Sequence, residues 1–397
     1  MGEFDEGSLR QRIRDLVASD VPHLPYRVGT RSPEHAAESE VLREWSRKVY
    51  AAGFYGADWP VEFGGRDGYR AVEELVVTEE LAIARAPVPI GSGSLAAHAL
   101  LHFGTHEQQA AYLPKIRSYE HVWCQLFSEP DAGSDLASMR TTAIRDGDHF
   151  VVNGQKVWST NAAFSDMGYL LARTDPAAAK HAGISAFAFD MKLPGVTVRP
   201  LKEMTGTSDF NEVFFDDVHV PASALIGEVN NGWHIATTSL ASERAGVGAL
   251  VIRLRRNLDA LVAVARVTPS GPGGGTLADD PVMRQRLAGF HARVEIATLL
   301  SEAAIGRRLR GEFNAADVPM IKLGFANLNQ DLSYLGVEIQ GARGTLATDD
   351  PDALDNGHWQ DELLYAKAYT ISGGSNEVMR NLLGERALGL PREPRGT

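Results

Sequence analysis

The 397-residue chain holds one cysteine, Cys124. A single thiol excludes intrachain disulfides and cysteine metal clusters, and such sparing use fits a reducing compartment. No apolar run approaches the roughly 20 residues a membrane helix needs. The acidic start MGEFDEGSLRQRIRD lacks the apolar core of a signal peptide, and Glu6 stands where a myristoylation signal needs Ser or Thr. Basic excess is lacking too: 39 Lys and Arg against 51 Asp and Glu leave a net charge of −12. That balance argues against nucleic acid and anionic membrane surfaces, while still allowing a locally basic pocket for an anionic ligand. These absences lead to the expectation of a soluble cytoplasmic protein.

What is present is ordinary for a globular protein, 44% hydrophobic and 23% charged residues, over a length that exceeds one core. Three segments separate by pattern, with boundaries near 1–120, 121–230 and 231–397. The first is helical, with apolar residues at helical spacing over 39–50, 70–84, 94–103 and 105–117. Thr105 with Gln108 forms a capping box there. A Gly/Pro-rich loop, GADWPVEFGGRDG, fills 56–68.

The middle segment switches to period two. It predicts strands over 122–128, 141–145, 149–152, 156–160, 168–173, 185–190, 197–201 and 211–220. Asp146-Gly147 and Asn153-Gly154 read as two-residue hairpin turns, in which both turn positions need positive φ. From about 232 the helical period returns over 233–267, 282–310, 319–341 and 361–388, the pattern of an antiparallel bundle. PSGPGGG, 269–275, reads as a flexible linker. The predicted class is α+β: a helical domain, a small β domain and a helical bundle, whose junction is a natural place for a ligand.

The densest signal is WCQLFSEPDAGSD (123–135) followed by DGDHFVVNGQKVWSTN (146–161). A Gly/Ser loop rich in backbone N–H groups beside an aromatic strand residue suits a flat heteroaromatic ring with a phosphorylated tail. With GADWPVEFGG before these motifs and GGSNEVMRNLLGERALGLP at the end, nearly the whole chain resembles the acyl-CoA dehydrogenases. The resemblance implies an N-terminal helical domain, a middle β-barrel-like domain and a C-terminal four-helix bundle. It also implies bound FAD and oxidation of the Cα–Cβ bond of an acyl thioester. By position, Phe127 and Ser128 line the flavin ring, with Gly133 and Ser134 nearby. Trp158 covers the ring, Thr160 bonds its N5 edge, and Ser375 and Glu377 contact the cofactor.

Many members of that family place their catalytic Glu just before the Gly-(Ser/Thr) pair preceding the last helix. Here that position is Gly373, in ISGGSNEVMR. Helical spacing offers a replacement. Over 233–267, Leu240, Val247, Leu250 and Leu254 share a face, and Glu243 falls on it at i+3 from Leu240. A lone carboxylate on an apolar stripe is costly unless paired or functional, a buried ion pair being the bland alternative. Glu243-Arg244 also matches the branch of the family that carries its base on this helix. Glu243 is thus the expected base and Arg244 its orienting partner. The backbone N–H of Gly373 is the expected donor to the thioester carbonyl, and its missing side chain leaves room for a branched or bulky acyl group.

The family's Arg-x-x-Phe-Gly segment is replaced by RVTPSGPGGGTLADDPVMRQRL, and its Gln-x-x-Gly-Gly by QGARGTLATDD (340–350). The adenosine end of FAD is therefore held differently, or by a partner chain, and a homodimer, homotetramer or heteromer with a related subunit all fit. The resemblance implies acyl-CoA as substrate and an electron-transfer flavoprotein as acceptor. A flavin oxidase or monooxygenase on the same fold, or a subunit completing another chain's flavin site, are the alternatives. GSGSLA (91–96) mimics a dinucleotide fingerprint but lacks a surrounding βαβ unit. His98, His102 and His106 sit at helical spacing without a carboxylate pair, so no metal is expected.

Overall fold

The structure, a computed structural model, describes residues 5–24, 32–243, 247–271 and 274–392, with only the backbone for 241–243 and 247–249. Contacts divide the chain into two compact units. One comprises 1–24, 30–77 and 84–244, the other 25–29, 78–83 and 245–397.

The first unit opens with helices α1 (Glu6–Asp20), α2 (Ala36–Ala51), α3 (Ala71–Ile83, whose residues 78–83 belong to the second unit), α4 (Gly93–Phe103) and α5 (His106–Arg117). Helix α2 buries Leu42, Trp45, Ser46, Val49 and Tyr50, the i, i+3, i+4 rows of one face. The capping box read at Thr105 is present, with Gln108 also anchoring Ser223 O and Leu225 O.

Eight strands follow: β1 (Trp123–Leu126), β2 (Thr142–Asp146), β3 (His149–Lys156), β4 (Met167–Arg173), β5 (Ile184–Asp190), β6 (Val196–Leu201), β7 (Phe210–Pro221) and β8 (Leu225–Ile226). Their order is β6-β7-β3-β2-β4-β5-β8, with β1 lying parallel to β4. The alternating residues Phe150, Val152, Val213, Phe215, Val218 and Val220 point to one core with Phe187 and Phe189.

Two turn assignments need correction. Asn153-Gly154 is no hairpin: β3 runs straight through it, and the register against β7 shifts there as a bulge. Gly154, at φ 145°, lies where a Cβ would meet Thr141 Oγ1 at 2.5 Å, and Asn153 exchanges two 2.9 Å bonds with Asp217. The Asn-Gly pair thus bends a strand instead of ending it. The real hairpin joins β2 to β3 through Gly147-Asp148, since Asp146 still pairs with His149; only Gly147 takes positive φ, so both turn positions do not need it.

Helix α6 (Gly232–Glu243) belongs to the first unit, seated on β5 where a Cβ on Gly232 would strike the Ser185 backbone. The second unit holds α7 (Val247–Val267), α8 (Pro281–Leu309), α9 (Asp317–Ile339), α10 (His358–Ile371) and the short α11 (Asn376–Leu382). The expected single helix over 233–267 is therefore described as two, and residues 244–246 lie outside the description. The apolar stripe predicted along it also divides. Leu240 packs into the core of the first unit, whereas Leu250 and Leu254 pack with Leu258, Leu332 and Trp359 in the bundle. The expected helix over 361–388 breaks as well, at Gly373 (φ 63°) and Gly374 (φ 89°), after which Ser375 caps α11.

The bundle is pinned by a buried pair. Arg253 of α7 donates to both carboxylate oxygens of Glu362 on α10 at 2.8 and 2.9 Å, and Asn257 adds a third bond. The proposed linker has its ends joined, with Ser270 N donating to Gly275 O and Leu277 N to Thr268 O; residues 272–273 lie outside the description. No described helix is long and apolar enough to cross a membrane.

Candidate active site

The loop SEPDAGSD is built around one buried cation. Lys156, fully buried at the end of β3, donates to Phe127 O at 2.9 Å and to Glu129 Oε1 at 2.8 Å. Glu129 is buried as well and accepts from the main-chain N–H of Arg140 and Thr141. Burial raises the Glu129 carboxyl, but the Lys156 charge and these donors outweigh it and hold it below the usual carboxylate range. Burial pushes Lys156 down to about 8, with Glu129 working against that shift. Neither residue was singled out by sequence; the signal available was an acid and a lysine bracketing two motifs that must meet.

The same clamp brings the flavin-side candidates together. Glu129 and Ala132 close a tight turn through paired main-chain bonds, which projects Gly133 and Ser134 into the open. Val157 N donates to Ser128 O at 2.9 Å, so the segment after β3 lies against the end of β1. Phe127 is buried, its ring edge-on to Tyr169 at 5.0 Å. Tyr169 lies 3.5 Å, hydroxyl to hydroxyl, from Ser239 of α6. Helix α6 is thereby tied to the strands that carry Phe127.

Beyond Lys156 the chain leaves the strand. Ser159 exchanges main-chain bonds with Asn211, and Asn161 is held by Asp209 and by Ser32, whose hydroxyl donates to Asn161 Oδ1 at 2.6 Å. Between these anchors Trp158 adopts φ 60° and stays 59% exposed, touching Phe210 edge-on. A bulky residue in the left-handed region and in solvent is costly on both counts, and such outliers persist where a site uses them. Thr160 is half-buried beside it, while the Ser159 hydroxyl and Asn211 Oδ1 are buried without partners among the described residues. An exposed indole next to half-satisfied polar groups and an open Gly/Ser loop fits a flat polar ring such as a flavin.

The remaining candidates lie in the second unit or outside the described side chains. Gly373 sits in the turn after α10, exposed, with nothing among the described residues within 4 Å of where a Cβ would be. Ser375 caps α11 by accepting from Val378 N, and Glu377 pairs with Arg380 at 3.1 Å. Its own main-chain N–H and the Ser375 hydroxyl lower the Glu377 carboxyl. Glu243 is the last residue of α6, its side chain undescribed, and Arg244 lies outside the described residues. Among the histidines, His98 and His102 make an edge contact at 4.2 Å. No group of three described His, Cys, Asp or Glu residues is gathered for a metal ion. Burial pushes the Cys124 thiol up to about 12, a packing residue and no nucleophile.

In chain order the structure is a helical domain, a β domain displaying a strained indole and a helical bundle. Known proteins agree. Residues 5–120, 124–218 and 230–388 match the N-terminal, middle and C-terminal domains of acyl-CoA dehydrogenase. Acyl-CoA dehydrogenase IpdE1 of Mycobacterium tuberculosis is 40% identical over 93% of each chain. The solved structure of the Tcur3481-Tcur3483 steroid ACAD is 32% identical, with a TM-score of 0.86 over 99% of this chain and 100% of that one. The ChsE4-ChsE5 complex from Mycobacterium tuberculosis gives 0.84 at 32% identity over 99% of both. The chain belongs to the acyl-CoA dehydrogenase family, and is accordingly an oxidoreductase of a flavoprotein family.

Proposed function

We propose that the chain dehydrogenates an acyl-CoA thioester to the trans-2-enoyl-CoA, with Glu243 taking the α-proton. The observation that carries this reading is the pairing of an empty position with an occupied one. The common position for the base is Gly373, with no described atom within 4 Å of its missing Cβ, while α6, tied to the Phe127 strands through Tyr169 and Ser239, ends on Glu243. Bound FAD would supply the acceptor for the β-hydrogen as hydride. Phe127, Ser128, Gly133, Ser134, Trp158, Thr160, Ser375 and Glu377 are the residues proposed to hold it. Trp158 shields the ring face from water, and Thr160 orients its polar edge. The N–H of Gly373 supports negative charge growing on the thioester oxygen, which lowers the cost of removing a weakly acidic proton. Glu243 holds that proton, and Arg244 keeps its carboxylate aimed.

The open space at Gly373 supports a bulky acyl group. Two solved relatives at 32% identity are described as a steroid ACAD and a two-component complex, which supports a polycyclic acyl thioester and assembly with a related subunit. An exposed stripe on α8, Gly289, Ala292, Ile296, Leu299 and Ala303 at helical spacing, is a surface suited to such assembly. An electron-transfer flavoprotein is the proposed acceptor.

Anaerobic titration with a panel of acyl-CoAs, following bleaching of oxidised flavin, tests the reaction. Glu243→Gln should retain FAD and slow bleaching by about 10²–10⁴-fold, the usual worth of a general base. Full-rate bleaching by that variant would overturn the assignment. A colourless, stable chain purified alone would point instead to a subunit completing a partner's site, and rapid reoxidation by oxygen to an oxidase.

A further inference from the structure

Behind the Gly373-Gly374-Ser375 turn stands a cation that makes no ion pair among the described residues. Lys322, on α9, donates to Gly374 O at 2.6 Å and reaches Asn376 Oδ1 at 3.5 Å. Asn376 is buried, and its Nδ2 donates to Asn327 Oδ1, also on α9, at 2.9 Å. Among the described residues no carboxylate lies within ion-pair distance of Lys322, although it is half-buried. Burial lowers its pKa and the more distant Glu377 acts against that.

The turn it supports has little else to define it. Both glycines take left-handed φ, and neither N–H has a partner among the described residues. Glycine carries the largest backbone entropy, so two in succession give a turn many shapes unless something selects one. A charge-assisted bond to a main-chain oxygen is a strong selector. Fixing Gly374 O toward α9 fixes the peptide plane that follows it and limits the conformations of Gly373.

We propose that Lys322 is a positioning residue: it locks the double-glycine turn against α9 and places its positive charge behind the main-chain donors that face the thioester. The proposal rests on the reading of Gly373 given above. It predicts that the lysine matters to the chemical step more than to binding, because the charge on the thioester oxygen is larger in the transition state than in the bound substrate.

The test uses the full chain with FAD bound, as Lys322→Met, Lys322→Gln and Lys322→Arg. Lys322→Gln keeps a donor, on a side chain one atom shorter, without the charge, and it serves if Lys322→Met does not fold. Hydrogen exchange of the 371–377 amides, measured without substrate, should accelerate in Lys322→Met and return close to wild type in Lys322→Arg. Single-turnover flavin reduction by acyl-CoA should slow by about 10- to 100-fold in Lys322→Met with KM nearly unchanged, the scale of a misplaced catalytic group. Unchanged exchange would overturn the proposal, as would faster exchange with wild-type flavin reduction. Wild-type protein that no acyl thioester reduces would instead defeat the reading of function, and the exchange result would still decide whether Lys322 locks the turn.

Discussion

The segment around Trp158 and the turn at Gly373-Gly374 are both left-handed, and they reach that conformation by opposite means. At Trp158 the chain forces a large aromatic residue into positive φ and anchors it on both sides, through Lys156 before it and through Asn211, Asp209 and Ser32 after it. At 373–374 glycine removes the strain, and few bonds define the shape beyond Lys322. The first region invests stability in presenting a side chain. The second gives up its side chain, and with it the common location of the catalytic base.

The largest effect should come from the anchor of the first region. Lys156→Met leaves Glu129 buried without its cation, which costs about 3–5 kcal/mol. Loss of cooperative thermal unfolding at the wild-type temperature, together with loss of FAD, is the expected result; an unchanged melting temperature would show that the Trp158 segment does not depend on this pair. Next, the two glycines should respond unequally to alanine. Both pay for left-handed φ, about 1–2 kcal/mol, but Gly374 at φ 89° lies farther than Gly373 at 63° from the small left-handed region open to other residues, and a Cβ there also displaces the end of Met379, while one at 373 meets no described atom. Chemical denaturation should rank Gly374→Ala below Gly373→Ala, and equal stabilities would mean that the turn rearranges freely.

A smaller effect is expected at the indole itself. Trp158→Gly releases strain worth about 1 kcal/mol and forfeits only an edge contact with Phe210. Apoprotein stability should hold or rise while FAD affinity falls; a clear loss of apoprotein stability would make Trp158 a packing residue. The smallest is a pH dependence. The Glu129 carboxyl is lowered on folding, so its contribution is complete above the unfolded carboxyl pKa and is lost as pH falls through the folded one. Melting temperature should therefore decline on acidification below the ordinary carboxylate range, and less so in Glu129→Gln.

Much of the fold could be read from periodicity. Helices α3 to α5, the capping box at Thr105 and most strands lie within a residue or two of where apolar spacing put them, and α2 begins three residues earlier than expected, because each element buries one face on its own core. The misreadings share a cause. Asn153-Gly154 has turn chemistry, yet the pairing of β3 with β7 on one side and the contact with Thr141 on the other absorb it as a bulge. The stripe from Leu240 to Leu254 looks continuous in sequence, yet its two halves serve different cores. Lys156 and Glu129 went unnoticed because they are 27 residues apart, and nothing local says that they touch.

From sequence alone follow the family, the three-part α+β order, the Trp158–Thr160 segment and the vacancy at Gly373. Each depends on residue identity or on spacing within one element. Tertiary structure decided what those residues are made to do. The strain on Trp158, the burial of the Lys156–Glu129 pair, the link from Phe127 through Tyr169 to α6, and the cation behind the double-glycine turn all arise between elements distant in sequence. Such contacts are selected by packing, where a buried charge must find its partner and a strained turn its anchors, and no local pattern encodes which partner that will be.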